Sequence, residues 1–243
     1  MKSLLILTGH SKGLGRAILQ KFLSETNFQI VAISRSEVSL QDENLTQLTV
    51  DLTDLVALEA NLSEILPIGN FEKVILINNA GWIGEVKPVG KLHPHEIRRA
   101  INLNLVAPMI LTDAFVKSYS ELNARKVICN ISSGAASKPM AGWAEYCSSK
   151  AGLAMYSRVA AEDLGALGFE VLSVAPGIID TEMQAEIRTS DALDFPALDR
   201  FKDFKTAQKL LTPEAVAEKI FYIVNNPAHF PDVIQDVRNF ELP

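Results

Sequence analysis

Short apolar runs alternate along this chain with stretches in which apolar residues recur every three or four positions. The first pattern is typical of buried strands, and the second is typical of amphipathic helices. The apolar runs are rich in Ile, Val and Leu and are bounded by turn-forming residues, as expected for strands covered on both faces. They predict strands at residues 4–7, 29–33, 45–50, 73–77, 126–131, 170–175 and 233–237.

The helical pattern occupies the intervals between these strands, at residues 14–24, 55–65, 94–119, 144–167 and 213–225. Such alternation predicts βαβ units and therefore an α/β, three-layer Rossmann fold with a doubly wound, mostly parallel sheet of about seven strands. The 243 residues contain no linker or repeat, so we expect one domain over residues 1–243. Residues 184–211 are charged and weakly periodic, which favours a substrate lid or a plain surface excursion.

Composition excludes several classes of function. A net charge of −6 argues against nucleic acid or an anionic membrane as partner, and no stretch has about 18 unbroken apolar residues. Two cysteines, Cys129 and Cys147, cannot form a disulfide framework, and they fit a reducing, cytoplasmic compartment. The four histidines are scattered, so we expect no metal site.

A glycine-rich turn follows the first strand and precedes the first helix, with the sequence Thr8-Gly9-His10-Ser11-Lys12-Gly13-Leu14-Gly15-Arg16. Glycines let the backbone turn tightly and approach a ligand, while a helix N-terminus offers free N–H groups to a phosphate. The spacing is Gly-x-x-x-Gly-x-Gly rather than the Gly-x-Gly-x-x-Gly dinucleotide fingerprint. Its position between strand and helix makes a dinucleotide the leading candidate ligand.

The end of the second strand discriminates between the two nicotinamide dinucleotides. An NAD site places Asp or Glu there for the ribose 2′-hydroxyl, whereas an NADP site needs a cation and no repelling carboxylate. This chain has Ser34 and Arg35 at that point and no acid before Glu37, and Lys12 offers a second cation from the glycine loop. The sequence therefore predicts NADP(H), with two ordinary surface cations as the alternative.

Two further strand ends complete the cofactor prediction. The third strand ends in Asp51 and Leu52, where the carboxylate either accepts from an adenine amine or caps the helix that starts near Asp54. The fourth strand ends in a small-residue turn formed by Asn79, Ala80 and Gly81. Ligands of open α/β sheets bind at this carboxyl edge.

Tyr146 and Lys150 lie four residues apart in a predicted helix, so their side chains share one face. A free phenol has a pKa of about 10, and a lysine cation within about 4–6 Å lowers that pKa toward neutrality. The pair is therefore a candidate general acid. A packed ring beside a solvated amine is the alternative interpretation.

Three more motifs follow in order: Asn102-Leu103-Asn104-Leu105-Val106-Ala107-Pro108, then Asn130-Ile131-Ser132-Ser133, then Pro176-Gly177-Ile178-Ile179-Asp180-Thr181. With the glycine loop and the Tyr-x-x-x-Lys pair, they make the chain resemble the short-chain dehydrogenase/reductase family over almost its whole length. Within that family it most resembles the sepiapterin reductase and benzil reductase branch. The runs at 104–112 and 180–184 carry that finer resemblance.

The resemblance implies a role for each matching residue. Tyr146 matches the proton donor to a carbonyl oxygen, and Lys150 matches the residue that lowers the tyrosine pKa and binds the nicotinamide ribose. Ser133 matches the hydroxyl that hydrogen-bonds the substrate carbonyl. Asn104 matches the tetrad asparagine that holds a water in a proton relay, with Asn102 as its rival by composition. The nicotinamide loop matches Pro176, Gly177, Ile179 and Thr181, and the ribose and ring contacts match Asn79 and Ala80.

Flat or flexible apolar residues after Gly81 and near Tyr146 are expected to line the substrate pocket: Trp82, Ile83, Met140, Trp143 and Met183. Such side chains suit a bulky or aromatic carbonyl compound, and the branch resemblance likewise implies diketones, pterin-like or other bulky ketones. The two tryptophans are alternatively packing residues. The whole pattern predicts an NADPH-dependent carbonyl reductase with Tyr146 as proton donor.

Rival functions stay open at this point. A 3-oxoacyl reductase or a sugar dehydrogenase shares the same motifs, although the first usually carries a basic patch and this chain has only Arg98-Arg99. A non-catalytic NADP-binding sensor is a rival of another class. The small, apolar run 151–155 also suits a helix packed on a symmetry mate, and family members are usually oligomeric, so we expect a homodimer, with a tetramer as alternative.

Overall fold

A computed structural model describes residues 2–25 and 27–243 of the chain. Within these residues, seven strands form one parallel sheet in the order β3-β2-β1-β4-β5-β6-β7. The strands are β1 (Lys2–Thr8), β2 (Phe28–Ser34), β3 (Leu45–Thr49), β4 (Phe71–Asn78), β5 (Arg125–Ile131), β6 (Phe169–Ala175) and β7 (Ile234–Asp236). The order reverses beside β1, so the predicted doubly wound Rossmann fold is confirmed.

The helices connect successive strands and lie on both faces of the sheet. They are α1 (Gly13–Leu23), α2 (Leu55–Ala60), α3 (Leu62–Ile65), α4 (Pro94–Ile101), α5 (Ala107–Tyr119), α6 (Ala144–Leu164), α7 (Glu182–Arg188), α8 (Leu198–Thr206) and α9 (Pro213–Asn225). A π-helical turn at Asn102–Val106 joins α4 to α5 without a break. The predicted helix at 55–65 is divided at Asn61 into two short helices.

The inner strands of the sheet are buried on both faces, because helices cover each face and successive strand residues point to opposite layers. The edge strands β3 and β7 are only partly buried. In β1, Leu5 and Leu7 enter a core shared with α1 and α9, whereas Leu4 and Ile6 enter a core shared with α2, α5 and α6. All four side chains are fully buried. This double coverage explains why inner strands such as β1 are continuous apolar runs in the sequence.

The continuous helix Pro94–Tyr119 has a mean hydropathy of 1.2 over its most apolar window, enough by length and composition alone for a membrane span. Its residues Leu111, Phe115 and Tyr119 are instead buried in the core beneath α5. A helix that packs one face into a protein core passes the same test of length and composition, so the pattern alone is weak evidence for a membrane span.

A third apolar cluster lies above the carboxyl edge of the sheet and is built largely by the stretch after β6. Phe195, Leu198 and Phe201 pack there against Trp143 at the start of α6. The stretch predicted as weakly periodic therefore contains two helices, α7 and α8, whose apolar residues face the sheet edge. We refer to residues 182–206 as the cap segment.

Candidate active site

A cavity of about 360 Å³ opens at the carboxyl edge of the sheet, where the glycine loop, the strand ends and α7 meet. It brings together most of the residues singled out in the sequence. These are Gly9, Ser11, Lys12, Gly13, Leu14, Gly15, Ser34, Arg35, Asp51, Leu52, Asn79, Ala80, Gly81, Trp82, Tyr146, Lys150, Pro176, Ile179, Thr181 and Met183.

Glycine is required at two points of the loop after β1. Gly9 adopts a φ of +72°, and a Cβ on Gly15 would lie 2.0 Å from the Gly9 carbonyl oxygen, so no side chain fits there. The following helix α1 begins after Lys12, whose side chain makes no capping hydrogen bond, and its first turn contains no acidic residue. Its N-terminal N–H groups are thus available to an anionic ligand.

His10 is an exception in this loop, because its side chain is buried and points away from the cavity. Its Nε2 lies 3.0 Å from Oε1 of Gln47, and burial is the main cause that lowers its pKa. Gly177 is likewise outside the cavity wall. A Cβ there would lie 3.1 Å from Leu211, so this glycine packs against the chain itself.

The two basic side chains predicted to bind the 2′-phosphate, Arg35 after β2 and Lys12 in the glycine loop, line the same cavity. Ser34 donates a 2.5 Å hydrogen bond to the Ser36 carbonyl, and Arg35 beside it is exposed. Lys12 is also exposed, and its Nζ lies 3.6 Å from a carboxylate oxygen of Glu182 on α7.

Asp51 does not cap the helix that follows it. Its Oδ1 accepts from the backbone N–H and the hydroxyl of Thr53, both at 2.9 Å, while Asp54 accepts from the first N–H groups of α2. Of the two sequence interpretations of Asp51, the helix cap is therefore assigned to Asp54. Asp51 itself lines the cavity.

Tyr146 and Lys150 lie on one face of α6 at the inner end of the cavity. The Lys150 ammonium lies 5.9 Å from the Tyr146 ring centroid and donates a 2.8 Å hydrogen bond to the Ile131 carbonyl at the end of β5. Both residues are more than nine-tenths buried. The sheet edge thus holds the lysine against the tyrosine.

The pKa values at this pair differ from the expectation that Lys150 lowers the tyrosine pKa. Burial raises the pKa of Tyr146, and the Ser133 hydroxyl only partly offsets that rise. Burial lowers the pKa of Lys150 to about 8. The difference arises because removal from water disfavours the charged form of both groups, an effect that residue spacing cannot reveal.

Ser133 follows the end of β5, and its hydroxyl hydrogen-bonds the Tyr146 hydroxyl. It is not among the residues that line the cavity, whereas its neighbour Ser132 is. The Ser133 Oγ also accepts from the Ala135 N–H at 3.1 Å and so caps the 3₁₀ turn Gly134–Ala136. This bond uses an acceptor position and leaves the hydroxyl proton available to another group.

Asn104 is fully buried within the π-helical turn and clamps the backbone after β4. Its Oδ1 accepts from the Trp82 N–H at 2.9 Å, and its Nδ2 donates to the Trp82 carbonyl at 2.8 Å and to Ser149 Oγ at 3.2 Å. Asn102, its rival in the sequence, instead donates to the Thr53 carbonyl at 3.0 Å. Of these two asparagines, it is therefore Asn104 that links the Trp82 backbone to α6.

The residues expected in the substrate pocket divide into two groups. Trp82 and Met183 line the cavity, and the Arg99 guanidinium lies 5.0 Å from the Trp82 ring centroid. Trp143 is only 5% exposed and stacks on Phe195 with ring centroids 5.3 Å apart. Ile83 is buried in the same cluster and Met140 packs at its margin, so neither they nor Trp143 line the cavity.

Several cavity residues were not assigned to the site from the sequence, although some lie within the motifs quoted above: Val50, Thr53, Arg99, Leu103, Ile131, Ser132, Glu182 and Glu186. Two pairs among them share a helical spacing of four, Arg99 with Leu103 and Glu182 with Glu186. That spacing was the available signal, since residues four apart share a helix face. The sequence does not reveal that each of these helices borders the cavity, so the spacing alone could not identify the four residues.

Comparison with protein families agrees with this architecture. Residues 3–192 match the family model described as short chain dehydrogenase. The chain therefore belongs to the short-chain dehydrogenase/reductase family, and it is an oxidoreductase that acts on carbonyl or alcohol groups.

Individual relatives lie in the branch that the sequence resembled. The chain is 37% identical over 219 residues to benzil reductase ((S)-benzoin forming) of Bacillus subtilis (strain 168), covering 88% of this chain and 90% of that one. It is 30% identical over 245 residues to sepiapterin reductase of Xenopus tropicalis, covering 93% and 92%. A solved 4-hydroxyisoleucine dehydrogenase complexed with NADH superposes with a TM-score of 0.80 at 28% identity, covering 97% and 96%.

Proposed function

We propose that this protein is an NADPH-dependent carbonyl reductase that transfers a hydride to bulky or aromatic ketones, including diketones and pterin-like carbonyl compounds. The observation that carries the proposal is the convergence of Tyr146, Lys150 and the glycine loop on one cavity. Relatives named as benzil and sepiapterin reductases support the same direction of reaction and the same substrate class.

The cavity fits a nicotinamide dinucleotide. The turn at Gly9 and Gly15 has no room for side chains, and α1 presents N–H groups without a side-chain cap, as a pyrophosphate requires. Arg35 and Lys12 supply cations where an NAD site would place a carboxylate, which favours the 2′-phosphate of NADP(H). A guanidinium meets such a phosphate with two parallel N–H groups, and an ammonium meets it as a point charge.

We assign the remaining predicted contacts to the same ligand. Asp51 and Leu52 lie at the adenine end, and Asn79 with Ala80 and Gly81 border the central turn. We assign backbone contacts to His10 and Gly177, because the His10 side chain is bonded to Gln47 and Gly177 packs against Leu211. The nicotinamide end is bordered by Pro176, Ile179 and Thr181.

A bound nicotinamide dinucleotide supplies the hydride that reduces the carbonyl carbon. As that carbon is reduced, negative charge develops on the carbonyl oxygen, and Tyr146 donates its phenolic proton to it. The Ser133 hydroxyl donates a hydrogen bond to the same oxygen. The raised pKa of Tyr146 keeps the phenol protonated, and therefore able to donate, across the neutral range.

Lys150 and Asn104 hold this arrangement in place. The Lys150 cation stabilises the phenolate that Tyr146 becomes after proton transfer, and its bond to the Ile131 carbonyl fixes its position. Asn104 fixes the backbone of Trp82, which borders the cavity beside the reacting groups. Asn104 lies in a π-helical turn, a local irregularity that is frequent at functional sites, and we assign to it the relay water toward Lys150 that the family resemblance implies.

The proposed substrate lies between Trp82 and Met183, whose flat and flexible apolar surfaces suit aromatic ketones. We further propose that the chain forms one domain in which the cap segment acts as a substrate lid. Two free cysteines support a cytoplasmic location.

We propose a homodimer through the outer faces of α5 and α6. Met109, Met155 and Val159 are 38%, 57% and 50% exposed on these helices. Gly152 does not contribute, because a Cβ there would lie 3.0 Å from Leu105 of the same chain. Light scattering is expected to give the mass of a dimer for the wild type and the mass of a monomer for the Met155→Glu variant. A wild-type monomer at assay concentration would contradict this proposal.

The test of the catalytic proposal is oxidation of NADPH, with NADH in parallel, against aromatic diketones, pterin ketones, simple aldehydes and acyl thioesters. We expect turnover of diketones with NADPH strongly preferred. NADH preference would contradict the assignment of Arg35 and Lys12. Tight NADPH binding without turnover of any compound would favour a sensor rather than a reductase, and turnover of acyl thioesters alone would indicate a 3-oxoacyl reductase.

A further inference from the structure

Lys12 and Glu182 form an ion pair across the mouth of the cavity. The ammonium belongs to the glycine loop and the carboxylate to the first residue of α7, at a distance of 3.6 Å. Their side chains are 65% and 64% exposed, and both line the cavity. The two segments also touch beside this pair, because a Cβ on Gly13 would lie 3.2 Å from the Thr181 methyl group.

The other basic side chains of the cavity have different surroundings. Arg99 is held by Glu96 at 2.7 Å and by the Trp82 ring. Among the described residues, Arg35 has no carboxylate within ion-pair distance. Lys12 is therefore the cavity cation whose charge is balanced by a residue of the cap segment.

We propose that Glu182 is a specificity-determining residue that competes with the cofactor 2′-phosphate for the Lys12 ammonium. The inference deepens the proposed function and depends on Lys12 facing that phosphate. A 2′-phosphate carries nearly two negative charges, so it displaces the single carboxylate of Glu182 or lies beside it at an electrostatic cost. In either case, Glu182 weakens the preference for NADPH over NADH and couples α7 to phosphate binding.

The competition acts only on the phosphorylated cofactor, because NADH has a hydroxyl at the same position. Removing the Glu182 charge frees Lys12 and removes repulsion, so NADPH binding should tighten while NADH binding changes little. Exposed ion pairs of this kind are worth about two- to fivefold in an equilibrium constant. Glu186 is the matched control, since it lies one turn further along α7, lines the same cavity and has no ion-pair partner among the described residues.

The experiment measures dissociation constants of NADPH and NADH by fluorescence titration for the full chain at low salt. The variants are Glu182→Gln, Glu186→Gln, Lys12→Met and the Lys12→Met/Glu182→Gln double substitution. We expect Glu182→Gln to tighten NADPH binding about two- to fivefold and to leave NADH binding within about 1.5-fold. In the Lys12→Met background the same substitution should lose most of its effect, and Glu186→Gln should alter both cofactors alike.

Equal effects of Glu182→Gln on both cofactors would overturn the inference, as would an undiminished effect in the Lys12→Met background. The result also separates this inference from the proposed function. NADPH preference in the wild type with no effect of Glu182→Gln removes only the competition. Tighter binding of NADH than NADPH by the wild type removes the proposed cofactor choice and the competition together.

Discussion

Replacing Asn104 with alanine should destabilise the protein and the active site together. Alanine leaves the Trp82 N–H and the Trp82 carbonyl without their partners at 2.9 and 2.8 Å, and it removes the 3.2 Å bond that Asn104 donates to Ser149 Oγ. Ser149 keeps the bond that its own hydroxyl donates to the Tyr146 carbonyl. An unsatisfied buried polar group costs about 1–3 kcal/mol, and Trp82 is only half-buried, so water re-satisfies part of its backbone. We therefore expect a loss of about 3 kcal/mol in the free energy of unfolding.

For a chain of this length, 1 kcal/mol lowers the melting temperature by about 2–4 °C, so the Asn104→Ala variant should melt about 6–12 °C below the wild type. The assay is thermal unfolding followed by circular dichroism, with kcat for diketone reduction measured on the same sample well below the transition. We expect kcat to fall at least about tenfold, because the backbone beside the reacting groups loses its clamp.

Asn102→Ala is the matched control, because it removes an amide of the same π-helical turn with one backbone hydrogen bond. It should lower the melting temperature by only about 2–4 °C, corresponding to about 1 kcal/mol, and leave kcat within about threefold. The reasoning is refuted if Asn104→Ala melts within about 2 °C of the wild type, or if the two variants lose equal stability and activity.

Three further results are expected. Lys150 is charged below its lowered pKa of about 8, so kcat/KM for ketone reduction should be level near pH 7 and fall as the pH rises through about 8. The Lys150→Arg variant should lack that fall. A wild-type pH profile that stays level to pH 9.5 would contradict the need for the cation. The Gly15→Ala substitution should abolish dinucleotide binding in titrations, because its Cβ would lie 2.0 Å from the Gly9 carbonyl oxygen. The control variant Gly165→Ala should bind normally, because its Cβ would meet nothing within 4 Å. The Arg35→Ser substitution should weaken NADPH binding about tenfold or more and leave NADH binding nearly unchanged, because a charge-assisted hydrogen bond to phosphate is worth about 1.5–3 kcal/mol. Equal losses of affinity for the two cofactors would place Arg35 away from the 2′-phosphate.

The strands were predictable to within a few residues because burial on both faces leaves a continuous apolar run, as at Leu4–Leu7 of β1. The cap helices were not predictable in this way. Helix α8 is stabilised by Phe201, which packs edge-on against Trp143 with centroids 5.1 Å apart, and that partner is 58 positions away in the chain. Local hydrophobic periodicity cannot predict a contact between residues so far apart in the sequence.

The candidate site was predictable as a set of residues but not in its environment. Motif order placed Tyr146 and Lys150 together at the cavity, as the structure does. The pKa of Tyr146 depends on burial by segments distant in sequence, so its direction was expected wrongly from the charge pair alone. The position of Trp143 within the aromatic cluster rather than in the cavity wall has the same origin.

The central claim is that Tyr146 donates the proton in carbonyl reduction. Its most direct test is the Tyr146→Phe variant, which removes one hydroxyl from a ring that is 7% exposed and preserves its packing. We expect kcat/KM for NADPH-dependent diketone reduction to fall about 10²- to 10⁴-fold while the NADPH dissociation constant stays within about twofold. Turnover close to that of the wild type, with cofactor binding intact, would contradict the account.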